Sequence, residues 1–446
     1  MADAEFADFL RWLDSFMNFE RLPQKDMFWL DSMEFLCGRL GHPERAARCV
    51  HVAGSKGKGS VSAMIAGIIQ AAGHSCGLYA SPHISSFFER ITQCGAPLRD
   101  ALYGAAAQEL RAAIDAVPQK QLPGGRLPTW FELVTLYAFL CFRKAGFPYA
   151  VYEVGLGGRL DASNVIMPEV CCICPIELEH TEFLGGTVER IAAEKAGIIK
   201  ESVPVICAQQ TDEARCVLTE TARQKHAPLF FADDECAALH YEYTARRTML
   251  TEFSLPRHFE HPIRADMRLL GRVQARNAVL ASLAAKQLLP DISTKTIEEG
   301  LHRAALPARF ELQQAPHGFE GIPHIIMDGA HTPRSIAFAI ETYTELFDTK
   351  PVLLFACARD KDTRAIAPLF RNLTDTIFLT RPGATKAADM DLLTAAFREA
   401  GLAFSADEDY LRCIHAAMEC AHVGRRPLLV TGSFYLAAEV KSCISG

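Results

Sequence analysis

The chain has 446 residues, 49% hydrophobic and 22% charged, the mixture of a globular protein of about two to three domains with ample core. Its net charge of −7, with both signs interspersed, excludes a basic nucleic-acid-binding face, so any polyanion must meet a local site that brings its own positive charge. The acidic start MADAEFADFL is no secretory signal and the longest apolar runs, such as Leu133 to Phe142, fall short of the ~20 residues of a membrane span, so a cytoplasmic protein without membrane contact is expected.

Apolar runs of strand length alternate with amphipathic stretches of helix length, the pattern of βαβ units and a parallel sheet. Cys49 to Ala53 reads as a strand, followed by a Gly-rich turn and a helix from about Ser60 to Ala72; Gly77 to Ala80 is a second strand. A helix over Thr129 to Ala145 leads to a strand at Ala150 to Val154 that ends in another Gly-rich turn. Val170 to Pro175 is a strand, Thr187 to Ala196 a helix, and Val203 to Ala208 a further strand. The rhythm is lost from about Thr211 to Asp266, where polar stretches and short alternating runs (ALHYEY, TMLTEFSL) predict a small antiparallel excursion. After a helix from Val273 to Leu289, α/β alternation restarts beyond Leu306 and Pro307, with strands at His324 to Met327, Val352 to Ala356, Thr376 to Leu379 and Pro427 to Thr431. Two α/β domains, 1–306 and 307–446, are the economical division. The fifteen cysteines are scattered, and the densest group (Cys171, Cys172, Cys174) lies in an apolar run without paired CxxC spacing, as buried thiols in a reducing compartment would.

VHVAGSKGKGSVSAMIAGII places a strand, a turn with three glycines and a helix in the order of a phosphate loop. Glycines 54, 57 and 59 let the backbone curl its N–H groups toward an anion, and the helix N-terminus adds a partial positive charge. Lys58 is placed to reach the β- and γ-phosphates, and Ser60 to offer a hydroxyl to Mg²⁺. The strict GxxxxGK(S/T) pattern is not met, because Gly59 follows Lys58 and Val52 stands where the first glycine belongs.

The variant GSKGKGS closely resembles the nucleotide loop GT(N/K)GKGS of the folylpolyglutamate synthase and dihydrofolate synthase family, within the Mur ligase superfamily. Further segments resemble that family in the same order. YASPHISSFFERI is similar to SPHL…F.ERI, TWFELVTLYAF to T.FE..T..AF, and EVGLGGRLDASNVI to EVGLGGRLDATNVV. IELEHTEFLGGTVERIAAEKAGIIK resembles IGLDHTEWLGDTLEKIAREKAGIIK. In the second half LLGRVQARNAVLA, ARFEL, MDGAHTPRSI, ACARDKD and VTGSFYLAAEV resemble L.G.HQ..NA..A, GRFE, DGAHNP, GALKDKD and VTGSLYL..EV. The resemblance implies an α/β fold: an N-terminal P-loop-containing Mur-ligase-type central domain with the small β excursion, plus a smaller C-terminal Rossmann-like α/β domain.

The resemblance also implies the chemistry, in which ATP converts a carboxylate to an acyl phosphate that an amine then attacks. The cofactor-binding set it implies is Gly57, Lys58, Gly59 and Ser60 in the loop, with Asn277, Arg309, Asp328 and His331 from later segments. The metal neighbours it implies are Ser60, Ser81, Glu153 and His180, and Lys195 matches the family lysine that is carbamylated in many members and helps hold a second Mg²⁺. Lys58, Glu153, His180 and Lys195 are thus the catalytic candidates. Read without the resemblance, Lys195 is a solvated helix residue, Glu153 at a strand's C-terminal end is more readily a ligand-facing acid than a cap of the next turn, and the plain structural alternatives are a strand-end cap for Asp328 and a helix hydrogen bond for Asn277.

The folate-side contacts implied are Leu30, Asp31 and Ser32; Thr129, Trp130, Phe131 and Glu132; and Leu160, Asp161 and Ala162. Trp130 and Phe131 offer faces on which a flat heterocycle can stack. Ser32 departs from the Arg common in the family, and Lys56 stands where bacterial members often carry Asn. PQKQLPGGRLP reads either as a mobile loop over the substrate or as a surface connection. The implied activity is addition of L-glutamate to tetrahydrofolate, with dihydropteroate as a second acceptor left open by Ser32, in a monomer. Because the implied residues come from both halves, the two domains are expected to close on ATP. The rivals are a cell-wall Mur ligase acting on a UDP-linked peptide and a nucleotide-binding protein without catalysis. A dehydrogenase fits worse, since GLGGRLDA is not GxGxxG opening a helix.

Overall fold

A computed structural model describes residues 3–18, 30–383 and 387–445, and among these residues the strands form three sheets. The largest contains β1 (Arg48–Ala53), β2 (Cys76–Tyr79), β3 (Ile91–Gln93), β4 (Ala96–Pro97), β5 (Tyr149–Glu153), β6 (Val170–Ile173), β7 (Val205–Cys207) and β8 (Leu229–Phe231). Their spatial order is β4-β3-β2-β5-β1-β6-β7-β8. Neighbours are parallel except at one edge, where β2–β3 and β3–β4 pair antiparallel. β1, β5 and β6 are buried on both faces, which is why they read as near-continuous apolar runs rather than alternating ones. Cys171, Cys172 and Cys174 are fully buried here, and all fifteen thiols are free.

The antiparallel excursion is shorter than its polar composition suggests. Thr211 caps a helix, Asp212–Gln224, whose buried stripe is only Ala214, Leu218 and Ala222, too narrow and small to stand out in the sequence. β8 then extends the parallel sheet. Only β9 (Ala238–Tyr243), β10 (Met249–Ser254) and β11 (Ile263–Met267) form the separate antiparallel sheet, in the order β11-β10-β9. The third sheet holds β12 (Glu311–Gln313), β13 (Ile325–Met327), β14 (Val352–Phe355), β15 (Thr376–Leu379), β16 (Ser405–Ala406) and β17 (Leu428–Thr431). Its order is β12-β13-β17-β14-β15-β16, and only β12 runs antiparallel.

The helix Lys58–Ala71 is buried from Gly59 through Ile69. The helix Thr294–Arg303 crosses it so closely that a Cβ on Gly300 would lie 2.3 Å from the Ile68 Cα and one on Gly67 would lie 2.6 Å from the Gly300 carbonyl oxygen. One apolar cluster runs from this helix through the helix Arg272–Leu288 to Tyr343, Phe347 and Phe355, so the two parallel sheets share a continuous core. Both sheets turn their strand C-termini toward one cleft. β1 lies between β5 and β6, so the chain leaves it at the topological switch point where α/β folds bind ligands. No described helix is long and apolar enough to cross a membrane.

Candidate active site

The turn after β1 is shaped by its glycines. Gly54 has φ 143° and lies against Cys174, where a Cβ would come within 2.5 Å of the cysteine Cβ; Gly57, at φ 88°, starts the helix Lys58–Ala71. Ser55 and Lys56 donate their N–H groups to the Pro175 carbonyl, and the Ser55 hydroxyl bonds Glu177, so the turn is pinned to the chain behind β6. Lys58 Nζ donates to the Gly54 carbonyl at 3.1 Å, across the mouth of the turn. Ser60 is buried in the first turn of the helix.

Glu153 ends β5 beside this turn. Its Oε2 accepts the Ser81 N–H at 3.1 Å, and a Cβ on Gly59 would sit 3.5 Å from the same oxygen. Burial raises the carboxyl's pKa, while Lys58, the Ser81 N–H and Arg309 pull it back toward ionisation. His180 is exposed, has φ 47°, and precedes the short helix Thr181–Leu184. Partial desolvation lowers the pKa of its imidazole, with Glu179 opposing the shift and Lys361, Lys58 and Lys195 adding to it.

Lys195 is not solvated. It is 1% exposed, on the inner face of the helix Val188–Ala196, and its amine donates to the Gly54 carbonyl at 2.8 Å and to Glu179 Oε1 at 2.9 Å. Burial lowers its pKa to about 8, with Lys58 contributing. It lies beneath the phosphate turn rather than in the cleft lining. Glu179 was not singled out by sequence; its other oxygen is 3.9 Å from Lys56 Nζ, so it spans both lysines. The signal was available, since an acid precedes the histidine in both IELEHTE and IGLDHTE.

The opposite wall comes from the C-terminal sheet. Asp328, at the end of β13, accepts the N–H groups of Phe310 and Ala330, both at 2.8 Å, which ties the turn to the segment carrying Arg309. His331 Nδ1 lies 2.8 Å from the Gly329 carbonyl, and burial pushes the imidazole pKa down to about 4. Asn277 donates to Gln274 at 3.0 Å, and its Oδ1 lies 3.1 Å from where a Gly57 Cβ would be. Asp328 and Asn277 therefore have structural partners, while Asn277 also faces the phosphate loop and Asp328 lines the cleft.

The folate-side candidates divide. Leu30, Thr129, Phe131, Glu132, Leu160, Asp161 and Ala162 line the cleft; Asp31, Ser32 and Trp130 do not. Ser32 is buried with no partner for its hydroxyl among the described residues, and Asp31 is exposed and accepts the Ser32 N–H. Trp130 is 3% exposed: its indole N–H donates to Asp14, and Arg90 packs over its ring at 4.9 Å. The stacking expected of Trp130 is corrected to a packing role, because neighbouring helix positions diverge by about 100° and Phe131 is the one turned to the cleft. Glu132 is held by Arg126 at 2.7 and 2.8 Å and by the Thr129 N–H at 2.6 Å, completing a capping box. Asp161 accepts N–H groups from Gly155, Leu156 and Ser163, so it shapes the Gly-rich turn. PQKQLPGGRLP is anchored at Arg126.

The cleft between the walls measures about 2110 Å³, against roughly 300–1,000 Å³ for a usual small-molecule pocket, so it has room for a nucleotide and a long second substrate together. Lys58, Glu153, His180, Asn277, Arg309, Asp328 and His331 all line it.

Residues 106–285 match the Mur ligase middle domain and residues 308–434 match the Mur ligase glutamate ligase domain. A dihydrofolate synthase/folylpolyglutamate synthase of Bacillus subtilis (strain 168) is 32% identical over 422 residues, covering 92% of this chain and 94% of the relative. The solved Mycobacterium tuberculosis folylpolyglutamate synthase complexed with ADP superposes with a TM-score of 0.87 at 26% identity, covering 99% of each chain. A solved FPGS–AMPPCP–folate complex superposes with a TM-score of 0.81 at 28% identity, covering 99% of this chain and all of the other.

Proposed function

The chain belongs to the folylpolyglutamate synthase and dihydrofolate synthase family of Mur ligases, and from that premise we propose that it joins L-glutamate to a folate while converting ATP to ADP and phosphate. The observation that carries the reading is the single cleft that brings Lys58 and Glu153 on one wall to Arg309, Asp328 and His331 on the other. A UDP-peptide ligase is not favoured, since the full-length relatives are folate enzymes.

In this reading Lys58 and the N–H groups of the loop hold the β- and γ-phosphates, and Arg309 neutralises charge from the opposite wall. A substrate carboxylate attacks the γ-phosphorus, the bond to ADP breaks, and an acyl phosphate forms. The amine of L-glutamate then attacks the acyl carbon, phosphate leaves, and an amide remains. The donor set suits magnesium: Glu153 and the hydroxyls of Ser60 and Ser81 are hard oxygens, with His180 the softer neighbour, and phosphates and water complete such a shell. Magnesium would supply charge neutralisation between the phosphate oxygens. A carbamate on Lys195 would set a second anion beside Glu179, an arrangement that needs a cation between them, and Lys56 and Lys58 stand close by. Phe131 and Leu160 would flank the folate. The division at residue 306 and a monomeric enzyme belong to the same proposal.

The test is incubation with Mg-ATP and labelled glutamate, comparing tetrahydrofolate with dihydropteroate and following ADP and product mass. A glutamate-sized increase on tetrahydrofolate is expected, and an increase on dihydropteroate as well establishes the second activity. ATP binding without either product would return the chain to the non-catalytic reading.

A further inference from the structure

Phe434 opens the helix Phe434–Ser445 immediately after β17, in the segment VTGSFYL, and faces the cleft. Three neighbours converge on its ring. The Arg309 guanidinium carbon lies 4.2 Å from the ring centroid, within cation–π range. The His331 imidazole meets it at 5.9 Å and 68°. Gly329 passes beneath it so closely that a Cβ there would be 1.9 Å from a ring carbon.

Arg309 has little else to hold it. Its one hydrogen bond among the described residues is to the Ala308 carbonyl, at 3.3 Å, and no described carboxylate is within ion-pair distance. A carboxylate partner would occupy the guanidinium's donors and cancel its charge. A ring packed on the flat face does neither, because the N–H groups lie in the guanidinium plane and remain free to point into the cleft. A ring in this place therefore orients the cation without using up what an anion needs.

We propose that Phe434 is a positioning residue for phosphate recognition: its ring holds the Arg309 guanidinium with its donors toward the nucleotide and couples it to the Asp328–His331 turn. This rests on the reading that Arg309 meets the phosphates of ATP.

The experiment is steady-state kinetics of the full chain for Phe434→Leu, Phe434→Met, Phe434→Tyr, Arg309→Ala and the double variant Phe434→Leu/Arg309→Ala, with Tm measured for each. Phe434→Leu and Phe434→Met, which keep apolar volume but lose the π face, are expected to lower kcat/KM for Mg-ATP on the order of tenfold, mainly through KM. KM for folate and for glutamate stay within about twofold, and Phe434→Tyr, which keeps the ring face, recovers most of the loss. In the Arg309→Ala background, Phe434→Leu costs nothing further. Wild-type ATP kinetics in both Phe434→Leu and Phe434→Met beside an impaired Arg309→Ala would overturn the role of Phe434 alone. Multiplying losses in the double variant, or equal losses for all three substrates with a lowered Tm, would reduce Phe434 to scaffold. If Arg309→Ala keeps wild-type ATP kinetics, the phosphate reading of Arg309 fails and the proposal fails with it.

Discussion

The amine of Lys195 is enclosed beneath the phosphate turn between the Gly54 carbonyl and Glu179, and burial brings its pKa from 10.5 down to about 8. A lysine whose folded pKa lies below its unfolded value destabilises the native state when protonated. That cost is fully present below about pH 8, shrinks as pH rises toward 10.5, and is gone above it. The same shift leaves far more neutral amine near pH 8 than an exposed lysine would have, and only the neutral amine reacts with CO₂. Bicarbonate-stimulated turnover is therefore expected to rise between pH 7 and 9; a response flat across that range would remove the carbamate from the mechanism. Lys195→Ala is expected to lower turnover about a hundredfold, with short carboxylic acids restoring part of it, and wild-type turnover in the variant would show that the lysine has no such role. At this scale sequence is legible where a residue sits in a dense motif, as Lys58 and Glu153 do. It is not legible for Trp130 against Phe131: both are aromatic, and only the rotation of the helix Trp130–Ala145 decides which reaches the cleft.

Among the elements, the helix Lys58–Ala71, which starts at the phosphate turn, is crossed at close range near its C-terminal end by the helix Thr294–Arg303. Gly300→Ala would drive a Cβ to 2.3 Å from the Ile68 Cα, a backbone atom that cannot swing aside. The expected cost is about 2–4 kcal/mol in urea unfolding, together with weaker ATP binding, because the displaced helix carries Lys58 and Ser60. Wild-type stability would mean that the crossing is looser than its geometry indicates. Strand order is an element-scale property that alternation in the sequence could suggest but not assign. The parallel strands were readable as apolar runs buried on both faces. The helix Asp212–Gln224 was not, because its buried stripe of Ala214, Leu218 and Ala222 is weaker than the polar residues around it.

For the molecule as a whole, the cleft exists because two sheets face each other across a shared core. The ion pair of Glu177 with Arg334, at 2.9 Å, joins the chain behind β6 to the first turn of the helix Pro333–Leu346. Tyr241 and Tyr243 of the antiparallel sheet reach Glu345 on that same helix, at 3.3 and 3.1 Å. Arg334 is largely exposed, so its pair contributes about 0–1 kcal/mol. Arg334→Glu, which places two acids opposite each other, is expected to lower kcat/KM for Mg-ATP up to about fivefold, with the double swap Glu177→Arg/Arg334→Glu recovering it and high salt shrinking the difference. Loss without recovery in the double swap would mean that these residues act separately rather than as a latch.

Sequence by itself pointed to the chemistry through its short, dense segments: a glycine turn between a strand and a helix suits an anion but also occurs as plain structure, and segment after segment resembling one family implied the reaction. It also determined the alternating α/β plan, because apolar periodicity is a local property. Only the tertiary structure decided which side chains meet. Lys195 and Gly54 are distant in the chain, as are Arg309 and Phe434, and nothing local records that the first pair lies beneath the phosphate turn or that the second stacks on the opposite wall of the cleft. Such contacts depend on strand order and helix rotation, which are set by the packing of the whole core.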